Sequence, residues 1–458
     1  MRVVGIESKM TGTNNQMRGV VVQGAKMRKR GEKVPVSREA LLKAPDGTLL
    51  HPKNFASLAE FEAATRGAVD AYLKENKAPE FIVLPFDQSK NKEENKDVDL
   101  LSKALKEAFK ACGHQLKTMV LLSNLYDYQN VDLINVGKHQ LSDLDEAVLK
   151  SNPKLKSKVV ETLGAAGNNN WATIRNHVYQ LQSKYETFEN HFKEKYGKIK
   201  RVLSGNLLYA KGAMIDHSRD KKNVLFSLGG ITDNGAIGFD LKDAENLMKA
   251  AIKLKSKGYN VIFTNSPRTP SDVTDYLFER CKEIEAANQN REKLQKVAPA
   301  YCRKYEMSGH IEFFNAKKIA QNGEEAQDFR NYSGKYKAEF EEQAKTFGNI
   351  YPAILDVCEF VVNTHDSFSY TSDAAALGIP SVVYTGNYID KERRPDCYKL
   401  FDLCHEKGYA ISLDEAMSQI ERGVEPKTQK MDDVSTQLVR AMAKSLSNVR
   451  QNANTAER

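Results

Sequence analysis

A chain of 458 residues exceeds what a single hydrophobic core organises, so two or three domains are expected. Hydrophobic residues at 41% and charged residues at 28% describe an ordinary globular chain, and no apolar window approaches the length of a transmembrane helix. The net charge of +8 would suit anionic ligands or peripheral contact with a membrane surface, but it is spread along the chain, which reads as a solvated surface and argues against nucleic-acid binding.

The N-terminus, Arg2 to Ile6, is too short an apolar run for a signal peptide and reads as a first strand. A polar stretch, Glu7 to Gln16, follows it, then a helical run from Met17 to Lys29. Strand, Gly/Thr/Asn loop and helix make the first half of a βαβ unit, but the loop is not GxGxxG, so a dinucleotide fingerprint is absent. That loop serves equally as a capped turn or as a ligand contact. Next come a helix over Ser57 to Lys74, a strand over Glu80 to Pro85, a helix over Leu100 to Ala111, and strands at Met119 to Leu122 and Val131 to Val136. This alternation predicts a parallel sheet covered on both faces.

From about Leu141 to Lys198 Lys-rich helical segments dominate, broken by an Asn run before the only tryptophan, Trp171; this reads as a helical insertion. Arg201 to Asn206 is expected to resume the sheet, and Asn223 to Ser227 to open a second α/β domain. A helix capped by Asp240, with Leu241, Ala244, Leu247, Met248, Ala251 and Ile252 as its apolar stripe, ends at Gly258. Strands at Asn260 to Thr264 and Ile311 to Phe314 follow, the second inside a charged insertion over 282–345. Phe360-Val361-Val362 is a strand buried on both faces. It runs through a polar loop into a small-residue helix that Gly378 ends, and Ser381 to Tyr384 is the next strand. The chain closes in an amphipathic helix over Val434 to Val449, with residues 451–458 expected to be a disordered tail. The expected domains are therefore 1–215, 216–430 and a C-terminal segment, 431–458.

The six cysteines show no CxxC pair and no Cys/His ligand spacing, a pattern of free thiols in a reducing compartment rather than a disulfide framework or zinc site. A cytoplasmic protein, peripheral to a membrane at most, with no metal and no cofactor, is expected.

Three loops carry the chemistry. Leu228-Gly229-Gly230, Ser266-Pro267-Arg268-Thr269 and Asp366 to Asp373 each follow a strand of the second domain. Glycine amides and a helix opening near Ser369 suit a diphosphate, and Arg268 supplies a planar charged fork for phosphate oxygens. Asp373 is placed to accept hydrogen bonds from both hydroxyls of a ribose. The last loop holds four hydroxyls and two carboxylates within eight positions, more than one helix cap requires. Expected donor contacts are thus Gly229, Gly230, Ser266, Arg268, Thr269, Ser367, Ser369, Ser372 and Asp373.

In order along the chain, Thr11 to Gln16, Asn135 to His139, Ser204 to Leu208, Leu228 to Gly230, Ser266 to Pro270, Asp366 to Ala374 and Gly378 to Pro380 resemble the mitochondrial-fission-protein-like family of plant fission factors and their bacterial relatives. That family resembles glycosyltransferases of the GT-B type. The resemblance implies two Rossmann-type parallel-sheet domains facing a cleft, the second binding a nucleotide-sugar, the first an acceptor near Thr11, Gly12, Asn15 and Gln16. It implies a metal-independent transfer of sugar to an unknown acceptor (glycan, lipid or protein), with Glu7 or His139, at strand ends of the first domain, as base. The family usually has an arginine where Pro267 stands and a glutamate where Asp373 stands. Two other readings use the same features: a non-catalytic GT-B scaffold acting in protein or membrane interaction, and a nucleotide-sugar epimerase.

Overall fold

The computed structural model describes residues 1–8, 11–26, 41–85, 92–167, 174, 222–232, 234–297, 309–321, 328–349, 351–356 and 358–456. The chain divides into two compact units, Met1–Asn168 with Asp432–Arg458, and Asn169–Met431. Each is an α/β unit built on a six-stranded sheet in which every pair of neighbours is parallel.

In the first unit the strands are β1 (Val3–Ile6), β2 (Leu41–Leu42), β3 (Phe81–Leu84), β4 (Lys117–Val120), β5 (Leu133–Gly137) and β6 (Val159–Thr162), in the spatial order 2-1-3-4-5-6. Strands β1 and β3 are continuous apolar runs, and with β5 they are buried along their whole length, as sheets sandwiched between helices require. Helix α1 (Thr11–Lys26) follows β1, and α2 (Leu58–Glu75) starts where Ser57 accepts a hydrogen bond from the Glu60 amide. Helix α3 (Lys92–Ala111) presents Leu101, Leu105 and Phe109 to the core.

Two expectations change here. Helix α1 begins at Thr11, six residues before the anticipated Met17, because Asn14 folds back on Ser8, accepting its N–H at 2.8 Å and donating to its carbonyl at 2.8 Å. These bonds tie the first turn of α1 to Ser8, and Met17 and Val20 pack in the core with no exposure. The anticipated insertion from Leu141 begins instead with α4 (Asp143–Ser151) and α5 (Pro153–Lys158), which lead into β6 paired with β5. The stretch at Val159-Val160 is short and half-buried, an edge strand whose period-2 signal is weak. The anticipated strand at Arg201 to Asn206 and Trp171 lie outside the described residues.

The C-terminal helix, Val434–Ala456, packs against α1 and β6 of this first unit and continues to Ala456 where a tail was anticipated. Leu438, Val439 and Met442 are fully buried, and Lys117 Nζ donates to the Ser445 carbonyl at 2.8 Å.

The second unit contains β7 (Lys222–Ser227), α6 (Leu241–Ser256), β8 (Tyr259–Thr264), α7 (Ser271–Val297), β9 (Ile311–Phe314), α8 (Lys337–Phe347) and α9 (Tyr351–Leu355). It continues with β10 (Cys358–Thr364), α10 (Phe368–Leu377), β11 (Ser381–Tyr384), α11 (Pro395–Glu406), β12 (Ala410–Ser412) and α12 (Leu413–Glu421). The spatial order of its strands is β12-β11-β10-β7-β8-β9. Numbered within the unit this is 6-5-4-1-2-3, the doubly wound Rossmann order, with the direction of winding reversing between β7 and β10. The register sets Val361 beside Leu225 and Asn363 beside Ser227, so the two strands end level and their following loops are adjacent.

Candidate functional site

A doubly wound sheet leaves a crevice at the carboxyl ends of its strands where the winding reverses, because helices on either side diverge there. In the second unit that point is the junction of the loop after β7, which holds Leu228-Gly229-Gly230, and the loop after β10, which holds His365-Asp366-Ser367. The loop after β8, Asn265 to Pro270, packs against both.

Asp366 is the hub of this junction. Its side chain has no exposure. Oδ2 accepts the Gly230 N–H at 3.1 Å and an Arg268 Nη2 hydrogen at 2.6 Å, and Oδ1 accepts the Tyr388 hydroxyl at 3.2 Å. Fixed backbone demands glycine at 230, and at 229 the Asp366 carboxylate takes the space of a side chain. A Cβ on Gly229 would lie 2.1 Å from an Asp366 carboxylate oxygen, and one on Gly230 would lie 1.9 Å from the Arg268 carbonyl oxygen. Burial, with the Asp366 charge behind it, pushes the Tyr388 phenol far above its ordinary pKa, so it stays a donor.

The second loop is fastened by its own hydroxyls. Ser266 Oγ donates to the Gly229 carbonyl at 3.1 Å, and the Thr269 hydroxyl donates to the same oxygen. The Thr269 oxygen in turn accepts the Ser266 N–H at 2.9 Å. The Gly229 N–H is taken by Thr364 Oγ1 at 2.6 Å. The expected donor residues Gly229, Gly230, Ser266, Arg268 and Thr269 are therefore brought together, but both glycine amides and both hydroxyls are already bonded within the protein. Arg268 is the member that still faces outward: one Nη is committed to Asp366 while the side chain retains 31% exposure.

Of the hydroxyls after β10, Ser367 precedes α10 as its N-cap residue without a side-chain capping bond, and Ser369 is exposed in its first turn. Ser372 is buried and donates to the Phe368 carbonyl at 2.6 Å, satisfying itself within the helix. Asp373 lies on the buried side of α10, 7% exposed. Its charge, second to burial, raises the pKa of the buried Tyr351 phenol. Asp366, not Asp373, is the carboxylate at the head of the junction.

Beneath the second loop Asn265 donates to Thr274 Oγ1 and Asn315 Oδ1 at 3.1 and 2.8 Å, and Lys317 Nζ donates to the Thr269 and Phe329 carbonyls at 2.6 and 2.8 Å. Burial lowers the Lys317 pKa to about 8, against the opposing pull of Asp328 and Asp272. The folded value lies below the unfolded one of 10.5, so between these values the unfolded chain binds more protons. Stability is accordingly expected to rise with pH from about 8 to 10.5 by the contribution of this residue. Denaturant titrations at pH 7 and pH 10 should show a smaller rise for Lys317→Met than for the wild type; equal rises would refute the assignment.

His365, beside Asp366, is enclosed by the rings of Tyr398 and Phe401, 4.7 and 5.6 Å away, and burial lowers its pKa against the pull of Asp366. It is a neutral packing group at pH 7.

The residues assigned to the first unit are placed as follows. Glu7 follows β1, its side chain 32% exposed and 3.8 Å from Lys43 Nζ. His139 is 2% exposed in a 3₁₀ turn, its ring so close that a Cβ on Gly137 would lie 2.5 Å from it. Thr11, Gly12, Asn15 and Gln16, expected in a loop, belong to α1, where Asn15 is exposed and Gln16 half-buried. Among the described residues no cluster of His, Cys, Asp and Glu has metal-binding geometry, and no helix is long and apolar enough to cross a membrane. The described cysteines, Cys112, Cys281, Cys358, Cys397 and Cys404, are free.

No family model matches this chain, and no curated protein sequence matches it. Among solved structures it is similar to an α,α-trehalose-phosphate synthase (UDP-forming) from Burkholderia vietnamiensis, 10% identical, with a TM-score of 0.33 over 90% of this chain and 81% of that one. It is also similar to an E. coli trehalose-6-phosphate protein bound with UDP-2-fluoro glucose, 9% identical, with a TM-score of 0.31 over 99% and 96% of the two chains. A third likeness is to SsfS6, a Streptomyces sp. SF2575 glycosyltransferase, 9% identical, with a TM-score of 0.29 over 97% and 87%. The α/β assignment rests on this chain's own two parallel sheets and their strand orders.

Proposed function

We propose that the second unit binds the diphosphate of a nucleotide-sugar and that the protein is a glycosyltransferase of the GT-B type, related in kind to the mitochondrial-fission-protein-like family. One observation carries the reading. At the reversal point of a Rossmann-ordered sheet, two glycines, an outward-facing arginine and the N-terminus of α10 lie on adjacent loops. Backbone N–H groups of a first helical turn and a guanidinium together favour a phosphate over any neutral group.

In this reading Arg268 and the opening turn of α10, with Ser367 and Ser369, take the phosphates, while Gly229, Gly230, Ser266 and Thr269 shape the floor. Ser372 and Asp373 act from within α10 by fixing its packing. In the transfer the bond from the sugar's anomeric carbon to the diphosphate oxygen breaks, and a bond to an acceptor hydroxyl oxygen forms. The acceptor's proton passes to a base, and the nucleoside diphosphate leaves with the electron pair, its charge stabilised by fixed donors. Of the two candidate bases Glu7 keeps solvent access, whereas His139 is enclosed, so Glu7 is the better one. The acceptor is a hydroxyl-bearing molecule, bound by the first unit through the region of Asn15 and Gln16.

Calorimetric titration with UDP, GDP and CMP, and with their sugars, tests this. One nucleotide is expected to bind, and Arg268→Ala is expected to weaken it at least tenfold, as loss of a charge-assisted contact does. Binding by none of them would sink the enzyme reading and leave a scaffold. Turnover of the sugar without an acceptor would point to hydrolysis or epimerisation.

A further inference from the structure

Three donors converge on one buried anion: the Gly230 N–H, the Arg268 guanidinium and the Tyr388 hydroxyl all point at the Asp366 carboxylate. They sit where the winding of the sheet reverses, beside a glycine whose missing side chain leaves the space that the carboxylate fills. That is the donor set a phosphoryl oxygen would receive in a nucleotide fold, supplied here to a group of the chain itself.

The geometry points to an oxyanion site for one phosphoryl group, built from Gly230 N–H, Arg268 and Tyr388, that Asp366 occupies in the free protein and must vacate when the ligand binds. This inference rests on the reading of the second unit as a phosphate-binding unit and adds to it a competitor that sets its affinity.

Two features favour exchange over a permanent bond. A ligand phosphate approaching Arg268 from its exposed side meets a guanidinium already neutralised by Asp366, so keeping the carboxylate in place would set two anions against each other at contact distance. Replacing it leaves every donor satisfied, because a phosphoryl group brings three acceptor oxygens to three donors. The displaced carboxylate is carried by the loop between β10 and α10, the adjacent Ser367 having no side-chain cap to the helix. No covalent step is involved; one anion exchanges for another.

The test is titration of the full chain with inorganic pyrophosphate and, separately, with UDP. Asp366→Asn keeps the shape and removes the charge, and it is expected to bind pyrophosphate at least tenfold more tightly than the wild type. Adding Tyr388→Phe to that variant should cost several-fold of the gain, and adding Arg268→Ala should abolish it. Thermal melting establishes that each variant is folded at the assay temperature; Asp366→Ser is a second route to the same vacancy should Asp366→Asn fail to fold. Unchanged or weaker binding by the Asp366 variants would overturn the inference, as would an Asp366→Asn affinity indifferent to Tyr388→Phe. The outcomes separate from those of the wider reading. If the wild type binds UDP well and Asp366→Asn binds no better, the competitor fails and the donor site stands. If pyrophosphate binding rises while no nucleotide binds, the donor reading fails and the oxyanion site stands.

Discussion

Replacing Gly230 by alanine is expected to destabilise the protein by about 3 kcal/mol and, with it, to abolish the nucleotide binding proposed for the second unit. The added Cβ would sit 1.9 Å from the Arg268 carbonyl oxygen, 2.1 Å from its carbonyl carbon and 2.5 Å from the Thr269 nitrogen. All three are backbone atoms, so no rotamer change relieves the clash. Relief requires the two loops to part, and the bonds lost in parting are those that define the junction: Gly230 N–H to Asp366, Thr269 and Ser266 to the Gly229 carbonyl, and the Ile231 N–H to the Arg268 carbonyl at 2.9 Å. Two controls make the result specific. Gly309→Ala meets the Tyr259 carbonyl oxygen at 1.9 Å, an equally hard clash beside β8 and away from the junction, and should cost comparable stability while leaving binding intact in the folded fraction. Gly235→Ala has open space and only a φ of +67° to resist it, a cost of about 1 kcal/mol. Chemical denaturation gives the three stabilities and calorimetry the binding. A Gly230→Ala protein as stable as wild type would show that the loops are not locked as described.

The alternation of strands and helices was readable because β1 and β3 are unbroken apolar runs, most other inner strands hold an apolar stretch, and α6 carries an explicit start and stop. Asp240 accepts from the Lys242 and Asp243 amides, and Gly258 adopts a φ of +89°. Elements held by less were not read. Strand β12 has three residues, and β2 has two. Helix α12 nevertheless displays a start that was there to find, since Ser412 and Glu415 form a reciprocal capping box. Within the candidate site the three loops were legible, because glycine pairs and hydroxyl clusters after strands mark tight backbone. Their internal wiring was not. Ser266, Thr269, Thr364 and Ser372 all spend their oxygens or hydrogens on the backbone, and a sequence lists a hydroxyl without saying what it bonds. That Asp366 rather than Asp373 stands at the loop junction was not legible for a related reason. Helix α10 is buried on nearly every side except at Ser369, so periodicity offers no polar face from which to judge where residue 373 points.

The other large effect concerns the Arg268–Asp366 pair, for which removal of the arginine is expected to cost more than removal of any exposed ion-pair partner. Arg268→Ala strands a carboxylate whose side chain has no exposure, leaving it the Gly230 N–H and the Tyr388 hydroxyl alone. Breaking a buried pair in this way costs about 3–5 kcal/mol, most of it the penalty of the uncompensated charge. Lys335→Ala, which breaks a bridge to Glu279 whose side chains are 56% and 46% exposed, is expected to have no measurable effect. Asp366→Ala strands a guanidinium that retains 31% exposure and can recruit water, so it should cost less than Arg268→Ala. In the double variant neither charge remains to be stranded, and its loss should fall short of the sum of the single losses by about 2 kcal/mol. The cycle also constrains the site itself. A large coupling means that the free protein invests stability in holding its own anion on Arg268, and a ligand must then recover that coupling through its phosphate. A coupling near zero would mean that Asp366 neither holds the arginine nor stands in a ligand's way, and the junction would owe its shape to the glycines and hydroxyls alone.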